Sequence, residues 1–88
     1  MGTLAERKVT IESEIGLHAR PAATFVQTAA KAPIEVTVAK RGGEPVNAKS
    51  ILSVLALDVR QGDTIVIRAE GEGAEELLDR LAAIAAAP

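Results

Sequence analysis

The 88 residues include no cysteine, tryptophan or tyrosine, and only one each of histidine, phenylalanine and methionine. Without cysteine there is no disulfide framework, thiolate metal site or redox motif, a composition that leans towards a reducing compartment. A single histidine argues against zinc, which takes several such ligands. Phe25 is the sole aromatic, so stacking on nucleobases is all but excluded. A net charge of −2 and a pI near 5.3 argue against a protein that binds nucleic acid by neutralising phosphates. No apolar run reaches the roughly 20 residues of a membrane span, and the start shows no signal-peptide apolar region. Met1-Gly2 invites a myristoylation reading, but Glu6 stands where that pattern wants Ser or Thr. The expectation is a soluble, cytoplasmic protein without cofactor or metal.

What the chain does have is aliphatic residues. Hydrophobic side chains make up 48% of it, so a core must be assembled from Val, Ile, Leu and Ala. The length suits one domain over residues 1–88 with a modest core, near the size where stability becomes marginal, and residues 1–5 read as a short flexible lead. Over residues 7–13, Val9 and Ile11 alternate with Lys8, Thr10 and Glu12, the period of a strand with one buried face. From 19 to about 31, Ala22, Phe25, Val26, Ala29 and Ala30 trace a helical stripe with Thr24, Gln27, Thr28 and Lys31 opposite, and Pro33 stops the helix. Ile34, Val36 and Val38 mark a second strand. The polar turn Lys40-Arg41-Gly42-Gly43-Glu44 leads into a short third strand, Pro45-Val46-Asn47, which the proline assigns to a sheet edge.

Residues 50–57 are short and apolar. A buried strand is one reading, but Ser50 is a good helix cap and Ile51, Val54 and Leu55 share a helical face, so a short helix is expected. Leu52 falls off that face and is expected to be exposed, as on a docking surface, although single exposed leucines are also ordinary. After the turn Gln61-Gly62-Asp63, a fourth strand covers residues 64–68. A final helix from 74 to about 86 turns Leu77, Leu78, Leu81 and Ile84 inward and carries Glu75 and Glu76 in its first turn, where they complement the dipole. Strand, helix, strand, strand, helix, strand, helix implies an α+β domain of two layers, helices covering one face of a mainly antiparallel sheet.

The stretch with chemistry in it is Gly16-Leu17-His18-Ala19-Arg20-Pro21. A helix start offers unpaired N–H groups and the positive end of the peptide dipoles, a seat for an anion. Pro21 marks the first turn, because its fixed φ suits a helix and its missing donor costs nothing there. His18 therefore falls at or just before the cap, with an imidazole that is neutral and nucleophilic near pH 7. Its Nδ1, the ring nitrogen nearer the backbone, is the one placed to hold a phosphoryl group over the amides. Arg20 adds a permanently charged planar fork suited to phosphate oxygens. On spacing alone, a lone histidine in such a place is more often a cap or a surface residue than a site.

Two motifs together carry a resemblance. Gly16-Leu17-His18-Ala19-Arg20-Pro21-Ala22, followed by Val46-Asn47-Ala48-Lys49-Ser50-Ile51-Leu52, is similar to the HPr family, the histidine-containing phosphocarriers of the bacterial phosphoenolpyruvate-dependent sugar phosphotransferase system. The similarity of element pattern runs from about Lys8 onward. The resemblance implies an open-faced β-sandwich, a four-stranded antiparallel sheet in the order 1-4-2-3 with three helices on one face. It implies that His18 accepts a phosphoryl group on Nδ1 from phospho-enzyme I and passes it to a histidine of an enzyme IIA domain, with Arg20 stabilising the charge. Such a protein is a phosphorylated intermediate and not an enzyme.

The same resemblance matches Ser50 to a regulatory serine, the substrate of an HPr kinase/phosphorylase and a signal to a catabolite-control regulator, although a capping role suffices to explain that residue. Ile51, Leu52 and Leu55, with nearby Lys49, are read as part of the surface that docks enzyme I and enzyme IIA, core packing being the competing account for some of them. A monomer is expected. The chain departs from the common pattern in a hairpin, residues 41–45, one residue longer than usual, and at Ser53 and Leu55. The rival readings are a paralogue serving a nitrogen-related or dihydroxyacetone-related relay and a small binding module of the ferredoxin-like sort. The latter lacks both the exposed aromatics of its RNA-binding versions and the cysteine pair of its metal-carrying ones.

Overall fold

Period-two alternation decides which side of each strand is covered. In the computed structural model, which describes residues 4–12 and 19–86, the order of elements is β1 (Leu4–Thr10), α1 (Ala19–Ala30), β2 (Glu35–Lys40), β3 (Val46–Asn47), α2 (Ile51–Ala56), β4 (Thr64–Glu70) and α3 (Ala74–Ala86). Ala5 and Val9 of β1, Val36 and Val38 of β2, and Ile65, Ile67 and Ala69 of β4 are all buried at alternate positions, one face of one sheet. The four strands stand in the order β1-β4-β2-β3 and every pairing is antiparallel. Leu4 lies opposite Glu70 and Thr10 opposite Thr64, while on the other side of β4 Glu35 meets Glu70 and Lys40 meets Ile65. Helix α3 packs on β1 and β4, α1 on α3, and α2 on α1 and β3. This is the α+β open-faced arrangement, helices to one side of the sheet.

Helix α1 buries Ala22, Phe25, Val26 and Ala29, the expected stripe; Ala30 is exposed instead, because at the last helical residue the chain already turns away towards Pro33. Helix α3 buries Leu77, Leu78 and Leu81, with Ala74 and Ala85 added and Ile84 half-buried against the same cluster. Phe25, Ile11, Ile65, Ile67, Leu78, Leu81, Val38 and Val54 are the largest fully buried side chains. An interior of branched aliphatics around one ring stabilises the domain by about 1.5–3 kcal/mol for each such side chain fully buried. Among the described residues no polar or charged side chain is buried.

Three boundaries differ from the periodicity by two residues or more. β1 begins at Leu4, not near residue 7, and Ala5 is buried: pairing with β4 extends the strand into Leu4-Ala5-Glu6, which has no β-branched residue to announce it. The strand also closes at Thr10, while Ile11 stays buried and keeps two ladder-like bonds, its N–H donating to Asp63 O at 2.8 Å and its carbonyl accepting from Gly62 N at 2.7 Å. β4 runs two residues further than 68, to Glu70, and Ala69 is buried.

Immediately after β4 comes Gly71, with φ of 138°. A Cβ there would overlap Ile34 Cγ2 and lie 3.1 Å from Ile34 Cβ, so the β4–α3 turn approaches β2 as closely as it does only with glycine. β1, an edge strand, turns one charge inward. Arg7 sits between Ala5 and Val9 and reaches out to Glu75 at 2.9 Å and Asp79 at 3.3 Å on α3. Exposed ion pairs contribute little stability, but an inward charge on an edge strand discourages a foreign strand from adding there.

Candidate functional site

His18 lies outside the described residues, together with the whole connection 13–18, and so does the side chain of Arg20. What the fold supplies is the frame around them. Helix α1 starts at Ala19, the residue after His18, and Pro21 is its third residue. Ala22 and Phe25, both fully buried, fix the first two turns against the core. Ala22 and Phe25 thus anchor the half of α1 that carries the dipole's positive pole, and the first N–H groups of a helix have no helical carbonyl to bond.

Helix α2 packs against α1. Ser50 is its cap: the backbone is extended, the Oγ accepts from Ser53 N at 3.3 Å, and Ser50 O accepts from Val54 N at 3.0 Å. Of the three residues expected to share a face, only Val54 is buried; Ile51 is half-buried and packs on the core, and Leu55 is 37% exposed. Leu52 is 78% exposed, off the packed face as its position requires. Lys49 does not extend freely into solvent. Its Nζ donates to Ala32 O at 2.7 Å, just past the end of α1, while its N–H donates to Asn47 Oδ1 at 2.9 Å. That tether has no signature in periodicity or composition, because it depends on the approach of two segments distant in sequence.

The loop after α2 holds a second cluster of charge. Asp58 has φ of 51° at the position just past the C-cap Leu57, where a helix commonly ends in glycine. Its carboxylate accepts from Arg60 at 2.8 Å, and Asp63 accepts from Arg60 N at 2.8 Å and pairs with Lys40 at 3.3 Å. Hydrogen bonds from Arg60, reinforced by its charge, hold Asp58 below the usual carboxylate range; the Arg60 N–H and then Lys40 do so for Asp63. On the other flank the Arg7 hydrogen bond lowers Glu75. None of these groups belongs to the candidate site. Among the described residues no cluster of His, Cys, Asp and Glu is built to hold a metal, and no helix is long and apolar enough to cross a membrane.

A four-stranded antiparallel sheet under three helices, with a histidine directly ahead of the first helix, defines a class of small open-faced α+β domains. The chain matches the family model described as the PTS HPr component phosphorylation site over residues 5–87. It is 48% identical over 83 residues to the phosphocarrier protein HPr of Streptomyces coelicolor, spanning 94% of this chain and 89% of that one. It is 41% identical to the HPr-like protein Crh of Bacillus subtilis, across 91% and 93% of the two chains. The crystal structure of a phosphocarrier protein HPr from Bacillus anthracis superposes with a TM-score of 0.85 at 40% identity, covering 93% of this chain and 96% of that one. The chain belongs to the HPr family of phosphocarriers of the phosphotransferase system.

Proposed function

We propose that this protein carries a phosphoryl group on His18 between phospho-enzyme I and sugar-specific enzyme IIA domains. In the forward step the lone pair of the neutral His18 Nδ1 forms a P–N bond as the P–N bond to the donor histidine breaks, and the donor leaves as an imidazole. In the second step the roles reverse, His18 being the leaving group and the enzyme IIA histidine the nucleophile. No oxidant, reductant or water is consumed. The charge on the three phosphoryl oxygens is to be shared by amides at the start of α1 and by the Arg20 guanidinium, whose planar fork suits phosphate oxygens, and such sharing stabilises transfer in both directions. The observation that carries the reading is the match to the HPr phosphorylation-site model over residues 5–87, with His18 one residue ahead of α1.

Docking is assigned to α2, with Ile51, Leu52 and Leu55 contributing and Lys49 beside them. Leu52 and Leu55, with the remote Leu4, are the large apolar residues that stand exposed among those described, which favours a small transient surface and a monomeric carrier. Ser50 is the proposed site of regulatory phosphorylation, which would add about −1.5 to −2 charges at pH 7 at the head of the same helix and repel an acidic partner.

The direct test is incubation with phosphoenolpyruvate and enzyme I, followed by phosphorus NMR of the product. An acid-labile, base-stable adduct on Nδ1, lost in His18→Ala, is expected; label retained after that substitution refutes the assignment. The likeness to Crh, described for its solved structure as the catabolite repression HPr, supports a second reading, a regulatory paralogue in which Ser50 carries the signal. A panel of donors, comprising enzyme I proteins of the sugar and nitrogen-related relays and an HPr kinase, separates the two by which residue each one labels.

A further inference from the structure

We infer that Lys49 is a positioning residue, the strap that fixes α2 against the far end of α1, and not a cation offered to the partner. The segment between β3 and α2 is fastened at every residue. Asn47 O accepts from Ser50 N at 3.1 Å and Asn47 Oδ1 from Lys49 N at 2.9 Å; Ala48, fully buried, donates its N–H to Val36 O of β2 at 3.0 Å. Lys49 Nζ then crosses to Ala32 O at 2.7 Å in a half-buried setting.

Ala32 stands two residues beyond the end of α1, past the last helical carbonyls but close to the negative pole of the helix. Helix α1 has no basic residue in its own last turn; Lys31 follows it directly, and the charge-assisted bond to Ala32 O comes from Lys49, distant in sequence. Holding Lys49 holds Ser50, the cap of α2, and through it the directions of Leu52 and Leu55. The ammonium sits a helix length from the start of α1, about 18 Å for 12 residues, well beyond the roughly 8 Å over which an exposed charge is felt at physiological salt. It therefore acts on shape and not as a charge at the start of α1.

The inference rests on the docking role given to α2, and its test separates the two. Lys49→Met keeps the aliphatic stem and removes the donor; Lys49→Arg keeps charge and donors. In the free full-length protein, Lys49→Met is expected to speed amide exchange at Ser53 and Val54 roughly tenfold, the order expected for losing one bond to a charged group, and to shift the Leu52 and Leu55 methyl resonances. In transfer assays it raises KM with kcat retained, by a factor that stays constant as salt is raised. Lys49→Arg returns exchange and KM towards wild type. Exchange and methyl shifts identical to wild type overturn the inference, as does a KM penalty that vanishes at high salt, the behaviour of a cation facing an acidic partner. If the chain carried no phosphoryl group at all, the free-protein measurements would still decide.

Discussion

Replacing Leu52 separates docking from folding. The side chain is 78% exposed, so nearly four-fifths of its area is left for a partner to cover. Full burial of a leucine is worth about 1.5–3 kcal/mol, and that fraction gives about 1.2–2.3 kcal/mol, or roughly eight- to fiftyfold in affinity. Leu52→Ala is expected to raise the KM of enzyme I for this protein towards that range, and Leu52→Glu beyond it, since a carboxylate would have to be desolvated in the interface. The fold should scarcely notice. A substitution at a solvated position changes stability by about 0.5 kcal/mol at most, a melting shift of about 4 °C or less. Initial-rate phosphotransfer and thermal melts by far-ultraviolet circular dichroism measure the two effects. Leu4, 65% exposed on β1, is the internal control, and Leu4→Glu should leave KM alone. A KM for Leu52→Glu equal to wild type, with an equal melting temperature, removes Leu52 from the docking surface.

Arg20→Lys keeps the charge but loses the planar two-donor fork, and is expected to slow transfer roughly tenfold or more without changing the melt. Gly71→Ala should cost about 2–4 kcal/mol in chemical denaturation, the sum of backbone strain and overlap with Ile34; in an Ile34→Ala background the penalty should fall by about half, and equal penalties in both backgrounds would disprove the steric account. Asp58→Gly relieves a left-handed non-glycine residue while giving up only an exposed ion pair, so it should match or exceed wild-type stability, whereas Asp58→Ala should lose about 1 kcal/mol. Glu75 is held below its ordinary value of 4.5 by Arg7, so its contribution is complete above that value and disappears as the pH falls through the lowered folded pKa. Arg7→Met should flatten that part of the acid limb in a plot of stability against pH.

Helices α1 and α3 and strand β2 were legible because their patterns are long and regular: the Ala22, Phe25, Val26, Ala29 stripe and the Leu77, Leu78, Leu81 stripe have no alternative period. The short α2 was ambiguous by composition, and Ser50 tipped it, a local capping signal and not a pattern. What escaped depends on neighbours. Nothing in Leu4-Ala5-Glu6 announces a strand until β4 lies beside it, and Asp58 gives no warning of a left-handed backbone, although aspartate tolerates it better than most residues. By alternation Arg7 shares the face of Val9 and Ile11, but nothing in the chain says what receives its charge until α3 presents Glu75 and Asp79. At the site, the motif around His18 and Arg20 and the exposure of Leu52 were visible in the chain; the tether of Lys49 to Ala32 was not, since thirty-two and forty-nine meet only in three dimensions.

The strand that sits between β1 and β2 is the last of the four to be made. During synthesis neither of those strands has its main neighbour until residue 70 has emerged, and at about 5–20 residues per second the first strand waits several seconds unmatched. A nascent chain halted after α2 would therefore have only a stub of hairpin and two helices too short to stand alone in water, and protease should digest it as readily as a random coil. Resistance should appear abruptly once β4 and then α3, which covers β1 and β4, have cleared the ribosome.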